Sequence, residues 1–394
     1  MSATTVASPA RDRARPDFVT GNTRLRARIP ALTPADRLER WQSLDLDALD
    51  AQLRSTPFAR HADKETVDPR HALLMAVERG TREVLRATAT AYSGAARVAI
   101  LTLLSPYDSA DLVTLVRAAA RGLTAEDVAP LLHAVGALTP VLVREVLADD
   151  PAVSITRLAA RRLPDPAVAR QLLAGADAFA RTGDLGEWEH RVAAAVAAQA
   201  DAALAPLGAS AGPIRRHLAA GRDVTNLLAA LRARSAGATG SGASKTGGTG
   251  RAATAARPDG GYLPAGGIDH RALAAIAAGA DLLARVPLSW RPLVAPFLGG
   301  GPPQHPPSLD TLARALHAQR LRSAAGRLRR GDPLGADVPV GYLARVELQA
   351  LALGQAIELA TAATPHAAAT RQATATVQAP STVQAPPDAR GSRR

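Results

Sequence analysis

Glu187-Trp188-Glu189-His190 holds a Glu-x-x-His spacing, which sets a carboxylate and an imidazole on one helical face, as in di-iron bundles. Such a centre needs a second copy, and none exists. Gly208-Ala209-Ser210-Ala211-Gly212 satisfies the nucleophile-elbow pattern, in which a serine on a strained strand-to-helix turn attacks a carbonyl. No strand pattern feeds it, so it reads as a turn between helices. In residues 237–246, Lys245-Thr246 follows several glycines in the manner of a phosphate-binding loop. Ser244 and Thr239 stand where that loop requires glycine, which makes a nucleotide site improbable. The nine histidines are scattered without the spacing a metal demands, and His133 beside Leu131 and Leu132 reads as a boundary residue. With no cysteine, thiolate zinc sites, iron–sulfur clusters, disulfides and cysteine nucleophiles are excluded. No nucleophile, base and orienter occur together. The expectation is a non-catalytic chain with no catalytic, cofactor-binding or metal-ligating residues.

The elements that would position any such groups are helices. Hydrophobic residues make up 47% of the 394 positions but aromatics only 3%, and alanine dominates the small apolar share, so strand-forming residues are scarce. The fold class expected is all-α. Trp41, Trp188 and Trp290 read as core anchors rather than as stacking platforms for bases. The formal charge of +12 invites a nucleic-acid reading. Lysine, however, occurs only at Lys64 and Lys245, and part of the arginine excess sits in the tails, at Arg11, Arg13, Arg15, Arg390, Arg393 and Arg394. A solvated arginine-rich surface is the better reading, with no specific nucleic acid as partner. The N-terminus lacks the apolar run of a secretory signal. The longest apolar stretches, residues 192–200 and 272–280, end at Asp201 and Asp281, short of the roughly 18–20 residues a bilayer requires.

Helix punctuation is dense. Thr33-Pro34-Ala35-Asp36 signals a start, with Leu38 and Trp41 on one face. Thr124-Ala125-Glu126-Asp127 is a capping signal, and the spacing of Val128, Leu131, Leu132 and Val135 predicts a helix that runs to Gly136. Thr139-Pro140 and Asp150-Pro151 open the next two helices, and amphipathic stretches begin near Pro69, Glu187 and Ser308. Composition marks 1–17 and 363–394 as disordered tails and 235–258 as a flexible Gly/Ser linker.

An internal repeat organises the rest. Asp111-Leu112-Val113-Thr114-Leu115-Val116 and Asp223-Val224-Thr225-Asn226-Leu227-Leu228 share an acid followed by apolar residues at matching offsets, and Glu347-Leu348-Gln349-Ala350-Leu351-Ala352 repeats the form. The intervals are too long for tetratricopeptide or ankyrin units. Three helical bundles are expected, at 18–150, 151–280 and 281–362, the second carrying the linker. Asp111 or Asp223 would cap its helix, and Leu115, Leu227 and Leu351 would face bundle cores.

The order of these segments resembles the C subunit of V/A-type ATPases, similar to subunit d of eukaryotic vacuolar ATPases. Gly21-Asn22-Thr23-Arg24-Leu25-Arg26-Ala27 looks like that family's Asn-Ala-Arg-x-Arg-Ala segment. Residues 46–58 look like its Leu-x-x-Leu-x-x-Thr-Pro-Tyr stretch, with Phe58 for tyrosine. Residues 111–136 resemble its Asp-x-x-Asn-Leu helix and Gly-Leu-Ser-x-Glu-Glu segment, which Gly122-Leu123-Thr124-Ala125-Glu126-Asp127 replaces here. Asn226-Leu227 is intact with Arg232 downstream, and Asp332-Pro333-Leu334 leading to Tyr342-Leu343 and Glu347 looks like the last repeat. Thr114 and Ala350 stand in place of the family's asparagine.

The resemblance covers about 21–359. It implies a funnel of three helical bundles, peripheral on the cytoplasmic face of a membrane. Its partners would be the rotor shaft subunits D and F and the proteolipid ring, and it would bind no nucleotide directly. A generic helical scaffold and a basic nucleic-acid-binding protein remain as alternatives.

Overall fold

The computed structural model describes residues 16–61, 68–148, 150–160, 166–240, 262–264, 266–281, 283–298 and 308–377. Among them are seventeen α-helices, joined in places by 3-10 turns, and no strand, so the fold is all-α. The first five are α1 (Val19–Arg28), α2 (Ala35–Trp41), α3 (Leu46–Leu53), α4 (Pro69–Thr90) and α5 (Gly94–Leu103). There follow α6 (Ser105–Arg121), α7 (Ala125–Val128), α8 (Pro140–Val146), α9 (Pro151–Ala160), α10 (Pro166–Thr182) and α11 (Leu185–Leu204). The last six are α12 (Gly212–Gly240), α13 (His270–Ala277), α14 (Arg291–Leu298), α15 (Leu309–Ala325), α16 (Arg327–Arg330) and α17 (Asp337–Val377).

The chain divides into two compact units, 1–32 with 78–351 and 33–77 with 352–394, the division falling within α4 and α17. In the smaller unit the buried side chains include Leu38, Trp41, Leu49, Leu53, Phe58 and Ile357. Arg37 lies over the Trp41 ring at 5.1 Å, and Arg70 donates to both oxygens of Glu358 at 2.7 and 2.9 Å.

The larger unit contains three apolar clusters. One gathers α1, α5, the end of α11, the start of α12 and the first part of α17 around Leu25, Ile100, Leu204, Ile214 and Val340. A second is built from α6 to α11 around Leu112, Leu138, Ile155, Leu172 and Trp188. The third joins α12 to α15 around Leu227, Ile268, Leu273, Trp290 and Leu316. The second cluster therefore draws on both sides of residue 150 and the third on both sides of residue 280. All three tryptophans are 3–4% exposed, which fits their anchoring role.

What fixes the connections between these helices is a set of buried Asx side chains. Asp108 on α6 accepts the backbone N–H groups of Ala137 and Leu138 at 2.9 and 3.0 Å, just ahead of α8. Asp223 on α12 does the same for Gly267 and Ile268 at 2.8 and 2.9 Å, just ahead of α13. One helical turn later, Asp111 accepts from the backbone of His133 and Ala134, and Asn226 exchanges two bonds with the backbone of Leu263. Neither Asp111 nor Asp223 caps its own helix, because each carboxylate is spent on the N–H groups of a distant loop. It is Asp108, not Asp111, that plays the part of Asp223, so the two copies align one turn away from the register that the acids suggest.

These bonds also explain where helices depart from their sequence signals. Thr124 makes the expected capping box with Asp127, yet α7 ends at Val128. Pro130 interrupts it, and Asp111 pulls the next loop into shape with Ala134 at φ +52°, leaving Leu131 exposed. At α2 the helix begins at Ala35, with Pro34 extended before it. Residues 235–240, expected as linker, continue α12, and α17 reaches Val377 where a tail was expected; alanine-rich sequence is good helix material in both places. Residues 1–15, 241–258 and 378–394, the remainder of the proposed tails and linker, lie outside the described residues.

Many arginines are likewise occupied with the backbone. Arg24 and Arg28 donate to Ala91 and Ala87 carbonyls near the end of α4, Arg215 to Leu204 at the end of α11, and Arg234 to Ala280 and Leu298. A guanidinium there satisfies the carbonyls that a helix terminus leaves unpaired.

Gly266 is required by its lock, since a Cβ there would strike the Asp223 carboxylate. Gly266→Ala should lower stability by about 1–3 kcal/mol through a displaced loop. Gly354→Ala on α17, where a Cβ meets nothing within 4 Å, should raise it by about 0.5–1 kcal/mol. Urea denaturation midpoints of the two variants check both signs.

Candidate functional site

The charged groups that sequence pattern had singled out do not converge. Glu187 pairs with Arg191 on α11, and Glu189 with Arg117 of α6 at 2.7 Å, while Trp188 between them is core. Gly208 sits in a 3-10 turn at φ +55° between α11 and α12, with no strand before it, so the elbow pattern is a helix-to-helix turn. Gly237 to Gly240 belong to α12, and the lysine of the phosphate-loop-like stretch lies outside the described residues. No three His, Asp or Glu side chains gather into a metal site among the described residues.

A different set does converge, on helices α6, α12, α15 and α17, each of which contributes residues to the apolar clusters. Arg320 on α15 is its centre. The guanidinium donates to Nε2 of His217 on α12 at 3.0 Å and to Nδ1 of His317 on its own helix at 3.3 Å. Its charge is balanced by the Glu347 carboxylate on α17, 3.6 Å away, and that carboxyl is hydrogen-bonded to the hydroxyl of Tyr107 on α6. The ring of Tyr107 meets the His133 ring edge-on at 5.4 Å, and His133 Nδ1 lies 2.8 Å from Asp111. One line of hydrogen bonds and a single ring contact thus runs from the Asp111 lock to Arg320.

Burial governs the protonation states. It pulls His317 down to about 4, with Arg320 adding to the effect. It pulls His217 well below the ordinary imidazole range, helped by Arg320, His317 and Arg327. Both rings are neutral at pH 7. Glu347 is pushed up by burial, opposed by Arg320 and the Tyr107 hydrogen bond. Because His217 Nε2 accepts from Arg320, its proton sits on Nδ1, a buried donor without a protein partner among the described residues. The arrangement can hold four helices in one register, since moving α15 or α17 would separate the Arg320–Glu347 pair and moving α12 or α6 would break a buried hydrogen bond to it.

In sequence, only Glu347 of this group stood out, and for another reason, as the acid of a third repeat. Here it faces α15 and α6 rather than a loop. His217, His317 and Tyr107 were missed because they lie far apart in the chain; the one available signal was that His317 and Arg320 recur one turn apart on an apolar stripe with Leu316 and Leu321.

In comparison with known proteins, no family model matches the chain and no curated protein matches its sequence.

By length and composition alone two segments are long and apolar enough to cross a membrane, in contrast to the expectation from the uninterrupted apolar stretches, which are too short: Leu185–Ser235, and the bent pair α5 and α6. Val192, Val196 and Leu204 of the first are buried in protein clusters, although only 22% of its apolar window is buried, and Gly208 breaks it.

The two histidines give the hub a pH dependence of known sign. An unfolded imidazole takes up its proton near pH 6.5, whereas folded His317 does so only near 4. Its contribution is therefore complete above about 6.5 and is lost as pH falls toward 4. Asp108 and Glu347, with raised values, act in the opposite sense at mildly acid pH, so a paired comparison isolates the effect. Between pH 7 and 5, His317→Gln should gain about 1–2 kcal/mol relative to the natural chain, measured by urea denaturation at both values.

Proposed function

We propose that this chain is a non-catalytic central-stalk subunit of a V/A-type rotary ATPase. In this reading three related helical bundles form a funnel on the cytoplasmic face of the membrane, seated on the proteolipid ring. The funnel holds the lower end of the shaft subunits D and F and turns with them in ATP-linked ion transport.

The observation that carries the reading is at Asn22. Its amide donates to the carbonyls of Pro333 and Gly335 at 3.2 and 3.0 Å and accepts from the Tyr92 hydroxyl at 2.8 Å. Two segments on which the family resemblance rests, Gly21-Asn22 and Asp332-Pro333-Leu334, therefore meet in space although they stand at opposite ends of the chain. The Asn22 contact parallels the loop locks at Asp111 and Asn226, one in each apolar cluster's neighbourhood, which is the relation expected of three related bundles. A torque-transmitting spacer must resist deformation, and buried side-chain to loop bonds together with a four-helix polar hub supply stiffness at the joints.

Affinity purification of the tagged full chain from native membranes in mild detergent tests this. The expected result is co-purification with the shaft subunits and the proteolipid. Recovery of the chain in an assembly containing neither would overturn it, and retention on DNA at high salt with sequence preference would favour nucleic-acid binding instead.

A further inference from the structure

A cleft of about 410 Å³ opens between α5, α6 and α11, within the size range of small-molecule sites. Its walls are apolar, from Val98, Leu101, Val196, Ala200 and Ala203, and Asp108 is the one charged residue that lines it. The Asp108 lock accounts for only part of that carboxylate. Each oxygen accepts one loop N–H and has a second lone pair, and no cation pairs with it among the described residues. Burial raises the carboxyl to about 6, and the Asp111 charge adds to the shift, so at neutral pH an ionised group lies at the cleft without a counter-charge. A buried carboxylate in that condition is costly, and a cation entering the cleft would offset the cost.

The lining decides which cation. A metal ion demands several oxygen or nitrogen ligands held together, and besides Asp108 the cleft has only the neutral side chains of Thr102, Ser105 and Gln199, with no group of three His, Asp or Glu among the described residues. An anion would be repelled. An ammonium group carries one positive charge and three N–H donors, which suits a lone carboxylate supplemented by neutral oxygens, and an aliphatic body attached to it would cover the valine, leucine and alanine walls. Ser105 and Gln199 also line the cleft and add polar atoms.

We propose that this cleft binds a small aliphatic ammonium compound, its nitrogen donating to Asp108 and its hydrocarbon lying along α5 and α11. The site is independent of any role in a rotary complex.

Isothermal titration of the full chain at pH 7.5 tests it, with octylammonium and octanoate below their micelle concentrations and octanol below its solubility limit. Octylammonium should bind at one site, octanol about tenfold more weakly or worse, and octanoate not at all. Asp108→Asn should reduce octylammonium to the level of octanol. Ala203→Phe, which fills the cleft from α11 and leaves the lock alone, should remove both with little change in melting temperature. Equal affinity for amine and alcohol, undiminished binding in Ala203→Phe, or no saturable binding of the amine would each overturn the proposal. If Asp108→Asn does not fold, the amine-to-alcohol ratio and Ala203→Phe decide.

Discussion

Backbone N–H groups in the loops between helices have no partner of their own, and in this chain buried Asx side chains supply one. Asp108 and Asp223 each accept two such groups, Asp111 two more, and Asn22 and Asn226 bond loop backbone as well. Leaving a buried N–H unpaired costs about 1–3 kcal/mol, so these bonds determine which loop conformations are permitted. Loop conformation in turn sets where the following helix starts, and that places its apolar face. The apolar clusters behind α8 and α13 depend on the carboxylates in front of them.

Alanine-rich helices make this arrangement necessary. Each alanine buries little area, so packing alone discriminates weakly between neighbouring helix registers. Directional contacts take over. The locks fix loops, arginines such as Arg28, Arg215 and Arg234 close helix ends through carbonyls, and Arg320 binds α15 to α12 and α17. The arginine excess is thus more than solvated surface, which composition could not reveal, because a carbonyl cap carries no sequence signature.

The helical class and most helix starts were legible in the sequence, since Thr139, Asp150 and Ser308 sit beside their helices and the capping rule is local. The burial of Trp41, Trp188 and Trp290 was legible for a similar reason, as few other residues could anchor such small-residue cores. Misreadings arose where a distant group intervened. The stop after Val128 is imposed by Asp111 and Pro130, and the correspondence between Asp108 and Asp223 becomes visible only when the loops they hold are compared. The hub of Tyr107, His217, Arg320 and Glu347 was illegible because its members come from four helices separated by long intervals.

The locks also carry a dynamic consequence. Ala137, Leu138, Gly267 and Ile268 stand outside regular hydrogen-bonding patterns, yet their amides point at buried carboxylates. Breaking those bonds requires the helix bearing the acid to part from the loop. Their amide protons should therefore exchange with solvent as slowly as those of the central helices, making stretches of irregular chain part of the last structure to open.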